Sequence, residues 1–142
     1  MDERLKLINK GLICPYCGES TEFINSSYVY GKSHGMIYIC KQCDAHVGVH
    51  KGSTISLGRL ANEELRTYKK AAHLYFDKIA KTGAINIIYP QYIEGVSNRS
   101  KAYKWLAEQM DMPEELCHIG MMNKLQCSKV IEICKKYESI LT

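Results

Sequence analysis

The stretch Cys14-Pro-Tyr-Cys17-Gly18 is followed, after 22 intervening residues, by Cys40-Lys-Gln-Cys43, and these two C-x-x-C pairs decide the fold. A C-x-x-C turn directs both sulfurs at one centre, and a glycine behind it can adopt the positive φ that lets backbone N–H groups approach them. Two such pairs supply the four thiolates of a tetrahedral structural Zn²⁺ site. A short β segment that carries the chain out and back between them predicts a zinc ribbon.

Other interpretations of the cysteines are weaker. A redox pair of the thioredoxin type would sit in a βαβ pattern, which the sequence lacks, and buried thiols need no such spacing. His46 and His50 are alternative ligands for the second pair, but either one would leave a well-spaced thiol unused. We therefore predict one structural zinc ion held by Cys14, Cys17, Cys40 and Cys43, with no open position for catalysis.

Composition limits the class of protein. The chain has 142 residues, 46% hydrophobic content and a net charge of +4, which suits one compact protein with a mild basic surplus. The charged start, the absence of a long apolar window and the seven reduced cysteines predict a cytoplasmic protein with no membrane partner. A dedicated nucleic-acid binder would carry a denser basic face, so the charge permits that function without requiring it.

The first part of the chain, residues 1–55, is predicted to be the ribbon. Runs rich in β-branched and aromatic residues predict strands at Glu22–Asn25, Tyr28–Tyr30 and Met36–Cys40, with turn residues between them.

The second part, residues 56–142, is predicted to be helical. Helical periodicity behind an Asn62 cap predicts a helix to about Gly83, a second from about Arg99 to Met110, and a third from Asn123 to about Tyr137. Residues 84–98 predict a connecting loop with one short strand at Asn86–Tyr89. The expected fold class is α+β, with the ribbon packed against about three helices as one compact unit.

A candidate surface for nucleic acid lies in the ribbon. Aromatic side chains flanked by cations hold single strands by base stacking and phosphate neutralisation. The alternative is that the tyrosines pair across strands and pack in the core. The candidate residues for binding nucleic acid or a partner are Tyr28, Tyr30, Lys32, Tyr38 and Lys41 in the ribbon, with Arg59, Arg66, Lys70, His73 and Arg99 after it.

The first helix carries a polar stripe, because Arg66, Lys70, His73 and Asp77 follow one another at spacings of four, three and four. His73 and Asp77 could act as an acid/base pair in a phosphodiester-cleaving enzyme, with Arg66 or Arg99 holding the phosphate. A solvated or salt-bridged face is the more common meaning of such a stripe.

Two other groups of residues are interpreted as packing. Cys127 and Cys134 lie on an apolar helical stripe, so a second zinc site with Cys117 and His118 is not favoured. Trp105 and its neighbour Leu106 are predicted to anchor the helical core.

The ordered motifs of the chain, taken together, resemble the zinc-finger-containing family of unknown function found in phage, prophage and bacterial genomes. The resemblance runs from about residue 12 to 137 and implies a zinc ribbon followed by helices, without an established activity. It is carried by Cys14-Pro-Tyr-Cys-Gly, Cys40-Lys-Gln-Cys-Asp-Ala-His-Val-Gly-Val-His, Leu57-Gly-Arg-Leu-Ala-Asn-Glu-Glu-Leu-Arg, Ala72-His-Leu-Tyr-Phe-Asp, Arg99-Ser-Lys-Ala-Tyr-Lys-Trp-Leu-Ala and Cys117-His-Ile-Gly-Met-Met.

Polar residues inside those motifs that have no evident packing role are candidates for a site or a buried polar network. They are His46, His50, Arg59, Arg66, His73, Asp77, Arg99, Tyr103 and His118.

The expected function is that of a zinc-binding accessory protein of phage or prophage type that binds nucleic acid through the ribbon and a basic helix face. A protein-interaction module that docks on and modulates an enzyme is the alternative, and phosphodiester cleavage is the third hypothesis. No small-molecule substrate is indicated.

Overall fold

A computed structural model describes residues 2–141 of the chain. The chain divides into two compact units, Met1–Arg66 and Thr67–Thr142, which are described in turn. The predicted boundary at residue 55, and the predicted packing of ribbon and helices as one unit, stay predictions. No helix in the described residues is long and apolar enough to cross a membrane.

The first unit is built around a three-stranded antiparallel sheet. The strands are β1 (Glu22–Asn25), β2 (Met36–Cys40) and β3 (Ala45–Gly48), in the order β1-β2-β3. A short helix, α1 (Glu3–Asn9), precedes the sheet, and a one-turn helix, α2 (Ser27–Tyr30), lies between β1 and β2. The α+β class and the N-terminal sheet at the cysteine cluster are therefore confirmed.

The sheet has two different faces because side chains alternate along each strand. Cys40 pairs with Ala45 and Tyr38 with Val47, and these four residues belong to the small core around the cysteines. Ile39 pairs with His46 and Ile37 with Gly48, so those four residues occupy the opposite face. We call the first the zinc face and the second the outer face.

The second unit consists of helices. Helix α3 (Glu63–Ala80) begins at the end of the first unit, and α4 (Ile85–Ile88), α5 (Asn98–Met110) and α6 (Lys124–Leu141) follow it. Two 3₁₀ turns, Glu114–Leu116 and Ile119–Met121, connect α5 to α6. The core of this unit contains fully buried large side chains, among them Phe76, Ile79, Ile85, Trp105, Leu106, Ile119, Met122 and Val130.

The helix ends follow the capping residues in the sequence. Asn62 Oδ1 accepts a hydrogen bond from Leu65 N at 2.9 Å, and Ser97 Oγ accepts one from Ser100 N at 3.1 Å. At the start of α6, Asn123 and Gln126 exchange side-chain bonds with each other's backbone N–H, at 2.8 and 2.9 Å. Each arrangement satisfies N–H groups that the first helical turn cannot pair, so the three predicted long helices are confirmed.

Two predicted strands are wrong. Tyr28–Tyr30 belongs to α2, because Asn25 Oδ1 accepts the Ser27 N–H at 2.9 Å and Gly31 closes the turn with a φ of +78°. The predicted strand at Asn86–Tyr89 is instead the helix α4. Strand β3 and helix α1 were not predicted at all.

Candidate metal centre and the outer face of the sheet

The sulfur atoms of the two C-x-x-C pairs converge. The Sγ atoms of Cys14, Cys17, Cys40 and Cys43 all lie within 4.8 Å of one another, and the Cys17 and Cys40 Sγ atoms are 3.7 Å apart. A tetrahedron with Zn–S bonds of about 2.3 Å has sulfur–sulfur edges of about 3.8 Å. The donor set and its spacing therefore fit one structural zinc ion with four thiolate ligands.

The first cysteine turn is held by its own backbone. Cys14 N donates to Glu19 O and Gly18 N donates to Cys14 O, both at 2.9 Å, while Tyr16 N points at Cys14 Sγ at 3.4 Å. Gly18 has a φ of +78°, which is the conformation that this tight return requires and that a side chain would strain. The turn thus presents both sulfurs on one side.

The second cysteine turn joins β2 to β3. Cys40 is the last residue of β2, and Asp44 takes a positive φ of 51° just before β3 begins. Asp44 N donates to Lys41 O at 3.4 Å and closes the turn. Asp is one of the few non-glycine residues that tolerate this region, so the Cys-x-x-Cys-Asp order suits the turn.

Three of the clustered thiols have shifted pKa values. Burial and the neighbouring thiols raise the pKa of Cys43 to about 12, and burial raises the pKa of Cys14. The backbone at Glu19 instead lowers the pKa of Cys17. A bound zinc ion would deprotonate its thiol ligands outright, so metal binding here releases protons and weakens as the pH falls.

His46 lies on the outer face of the sheet and takes no part in the cysteine cluster. Its Nδ1 is 3.3 Å from Arg66 Nη1 and its Nε2 is 3.0 Å from the Tyr30 hydroxyl oxygen. Arg66 Nη1 also donates to the Ala61 carbonyl at 2.7 Å. Burial, and secondarily Arg66, lowers the pKa of His46 and favours the neutral ring. Both ring nitrogens are engaged, so His46 belongs to a polar network and not to the metal site.

The ribbon tyrosines have different environments. Tyr28 is 61% exposed, and Lys41 Nζ lies 4.6 Å from the centre of its ring. Tyr30, two residues later on a helical turn, reaches His46, so the two rings do not share one face as a strand would require. Tyr38 packs on Phe23 with ring centres 4.7 Å apart and donates to the Thr54 carbonyl at 2.6 Å, which places it in the zinc-face core.

The polar stripe Arg66, Lys70, His73 and Asp77 lies on α3 and is divided between the two units. Arg66 bonds within the first unit, while Asp77 pairs with Arg99 at 3.1 Å and with Lys81 at 3.5 Å in the second. His73 is half-buried; burial lowers its pKa while Asp77 raises it. Two cations therefore occupy the carboxylate that an acid/base pair would need.

The structure brings Tyr103 and His118 beside the Asp77–Arg99 pair, because the Arg99 guanidinium lies 5.5 Å from the centre of the Tyr103 ring. Arg59 Nη2 donates to Asn9 Oδ1 at 3.4 Å, Lys70 and His50 are exposed, and the Tyr103 ring lies 5.0 Å from the exposed His118. In the part of the chain that the structure describes, no second group of three or more Cys, His, Asp or Glu side chains converges. The remaining thiols are buried: Cys117, Cys127 and Cys134.

Sequence reasoning missed the residues that surround a cavity on the outer face, chiefly Gly48 and Lys51. The available signal was Gly48, because a glycine inside a strand marks a place where space or close approach is needed.

The comparison with known proteins agrees with the metal centre described above. The sequence matches a family described as a zinc-finger-containing domain over residues 10–137. No curated protein and no solved structure gives a significant match.

Proposed function

The chain belongs to the family of zinc-finger-containing domains, and we propose that it is an accessory protein, of the phage or prophage type implied by the resemblance, that binds single-stranded nucleic acid through its zinc-stabilised ribbon. The zinc ion has a structural role in this proposal. Binding is assigned to two exposed ribbon tyrosines on different faces, Tyr28 and Tyr30, together with the nearby Lys32 and Lys41.

The observation that carries the proposal is an exposed aromatic side chain beside a cation. Tyr28 and Tyr30 are 61% and 53% exposed, so a ligand can reach both rings from solvent. Lys41 lies against the Tyr28 ring and is also 3.4 Å from Glu22 Oε2. A nucleotide could stack on the free side of the ring while Lys41 exchanges its carboxylate partner for a phosphate.

The charge of the unit favours single strands over duplex. The first unit carries eight Lys and Arg against seven Asp and Glu, a net charge of +1. Duplex binding depends on many phosphate contacts, whereas base stacking supplies affinity without a dense basic surface. Two exposed rings with a few nearby lysines are therefore better suited to an unpaired strand.

The helical unit offers further cations beside aromatic rings. Lys78 Nζ and Lys135 Nζ lie 4.9 and 5.2 Å from the centre of the Tyr75 ring, and Lys124 Nζ lies 5.3 Å from that of Tyr68. These pairs support a second set of contacts, from lysines of α3 and α6 to the phosphates of the nucleic acid. Most of these lysines lie outside the polar stripe that the sequence indicated.

A protein-docking function is the alternative, and exposed aliphatic side chains favour it. Ile55 is 66% exposed and Leu57 is 51% exposed on the hairpin that follows β3. An apolar surface of this kind would bind a partner with little dependence on salt, which separates the two proposals.

The test is fluorescence anisotropy with short labelled single strands of DNA and RNA, and their duplexes, on the zinc-loaded full chain at two salt concentrations. Tyr28→Ala should weaken single-strand binding roughly 5- to 150-fold, the range for one lost stacking contact. Tyr92→Ala is the matched control, because Tyr92 is 86% exposed in the other unit. Absence of binding at low salt, or equal losses in the two variants, overturns the proposal.

A further inference from the structure

A cavity of about 530 Å³ opens on the outer face of the ribbon sheet, on the side away from the cysteine cluster. Its volume lies in the range of roughly 300–1,000 Å³ that small-molecule sites occupy. Every lining residue belongs to the first unit. The residues that decide what it could hold are Tyr30, His34, Ile37, His46, Gly48 and Lys51.

The space exists because β3 has a glycine where its partner strand has a large side chain. Gly48 pairs with Ile37, and both line the cavity. A Cβ placed at Gly48 would contact only Leu57 Cδ1, at an ordinary 3.6 Å. Gly48 does not have a positive φ, so its backbone has no need of glycine. The absence of a side chain at Gly48 therefore leaves the cavity open, and the conformation of the strand does not require it.

The polar end of the cavity has a defined hydrogen-bond direction. A guanidinium can only donate, so Arg66 Nη1 requires His46 Nδ1 to be the acceptor. The neutral ring then carries its proton on Nε2 and donates to the Tyr30 hydroxyl oxygen. The hydroxyl hydrogen of Tyr30 is left free to donate to a ligand.

The remaining walls combine flat and charged groups. The Tyr30 and His34 rings meet edge to face with centres 5.4 Å apart, and Ile37 and Val49 supply aliphatic surface. Lys51 lies in the lining and is exposed to solvent. A ligand that matches these walls has a flat apolar ring with an acceptor atom on its edge and an anionic group that extends outward.

We propose that this cavity binds one nucleotide, with its base against Ile37 and Val49, a ring acceptor taking the Tyr30 hydroxyl hydrogen, and its phosphate at Lys51. This inference extends the proposed function. It depends on that function only if the bound nucleotide belongs to a nucleic-acid strand. A free nucleoside monophosphate has the same base and phosphate groups, so it is the second possible source of the bound nucleotide.

The experiment titrates the four ribonucleoside monophosphates, and ribose 5-phosphate as the ligand without a base, into the zinc-loaded full chain by calorimetry, with amide chemical shifts to locate the site. Gly48→Val places a residue that strands favour in the cavity, so zinc content should be kept and the thermal midpoint should not fall. Its affinity should fall about tenfold or more. Tyr30→Phe keeps the ring and removes the donor, for an expected loss of about three- to tenfold.

Lys51→Ala is compared with Lys10→Ala, an exposed lysine of the same unit that does not line the cavity. Monophosphate binding that Gly48→Val abolishes and Lys10→Ala leaves intact supports the inference. Ribose 5-phosphate binding as tightly as the monophosphates overturns it, as does binding that Gly48→Val leaves unchanged.

Oligonucleotide binding is measured on the same variants and separates the two proposals. Strand binding that survives in Gly48→Val and fails in Tyr28→Ala upholds the proposed function and overturns base insertion. If the protein binds the monophosphates but not the oligonucleotides, nucleotide binding in the cavity is supported and the proposed function is overturned.

Discussion

Removing zinc from the full chain should unfold the first unit and leave the second unit folded. The perturbation is a chelator under reducing conditions, with Cys43→Ser as its genetic equivalent. Cys43 contributes one of the four sulfurs that lie within 4.8 Å of one another, and a serine oxygen is a poor substitute for a thiolate on zinc.

The magnitude follows from how little the zinc face buries. Its fully enclosed side chains are small except for Leu60, and Tyr38 and Val47 are only partly buried. At about 1.5–3 kcal/mol for one fully buried large side chain, these three contribute on the order of 5 kcal/mol. A structural zinc ion contributes about 10–16 kcal/mol at pH 7, which is more than that face supplies and comparable with the whole stability of a typical domain.

The assay uses the single tryptophan as a reporter of the second unit. Trp105 is 1% exposed and packs edge to face on Tyr137, with ring centres 5.1 Å apart. After chelation its emission should stay blue-shifted, while amide exchange in Met36–Cys40 and Ala45–Gly48 becomes fast. Cys117→Ala, which removes a buried thiol of the other unit, is the control and should keep about one zinc per chain.

Two results would refute this reasoning. Protected amides in the sheet without metal would mean that the apolar contacts suffice. A red shift of Trp105 on chelation would mean that the helical unit depends on the ribbon, contrary to the separate core that it possesses.

Three further outcomes are expected. His46→Gln and His50→Gln should each keep zinc, measured as metal per chain; loss of metal in either one contradicts the four-cysteine site. Burial lowers the pKa of His73, so the unfolded chain, with a pKa near 6.5, takes up the proton first and stability falls as the pH drops below about 6.5. Guanidinium unfolding, followed by Trp105 emission, should therefore show that His73→Gln loses less free energy of unfolding than the wild type between about pH 7.5 and 5.5. Equal losses in the two proteins would exclude this linkage. If Lys32, Lys41 and Lys51 make the phosphate contacts, the logarithm of single-strand affinity should fall against that of salt with a slope of about −2, and a slope near zero favours the protein-docking alternative.

The elements that the sequence predicted well are those whose signals are local. The C-x-x-C spacing defines the ligand set without knowledge of the fold, and Asn62, Ser97 and Asn123 mark helix starts because their side chains bond the first turn. Burial of Cys127 also followed from helical periodicity, and burial of Trp105 from its residue type.

The elements that were missed depend on context. Strand β3 is four residues of mixed size, Ala-His-Val-Gly, and it pairs with β2 because the turn at Cys40–Cys43 brings it alongside. Tyr28–Tyr30 has strand-forming side chains, but the Ser27 N–H bonds the Asn25 side chain and Gly31 is left-handed, so the segment forms a helical turn instead. Short apolar runs such as Ile85–Ile88 fit either structure, so tertiary packing decides them.

The two faces of the ribbon sheet explain how so small a unit could hold a binding cavity. A sheet of three short strands without metal would need apolar packing on its faces to be stable, and a void on either one would cost about 1 kcal/mol or more. Here a zinc ion would supply most of the stabilisation on the zinc face, so the outer face can tolerate a glycine at position 48 and a polar network at His46. It follows that Gly48→Val, which adds apolar volume to the outer face, should make the sheet less dependent on zinc, and chelation should unfold that variant more slowly than the wild type. Equal rates would mean that the cavity carries no stability cost and that the two faces are energetically independent.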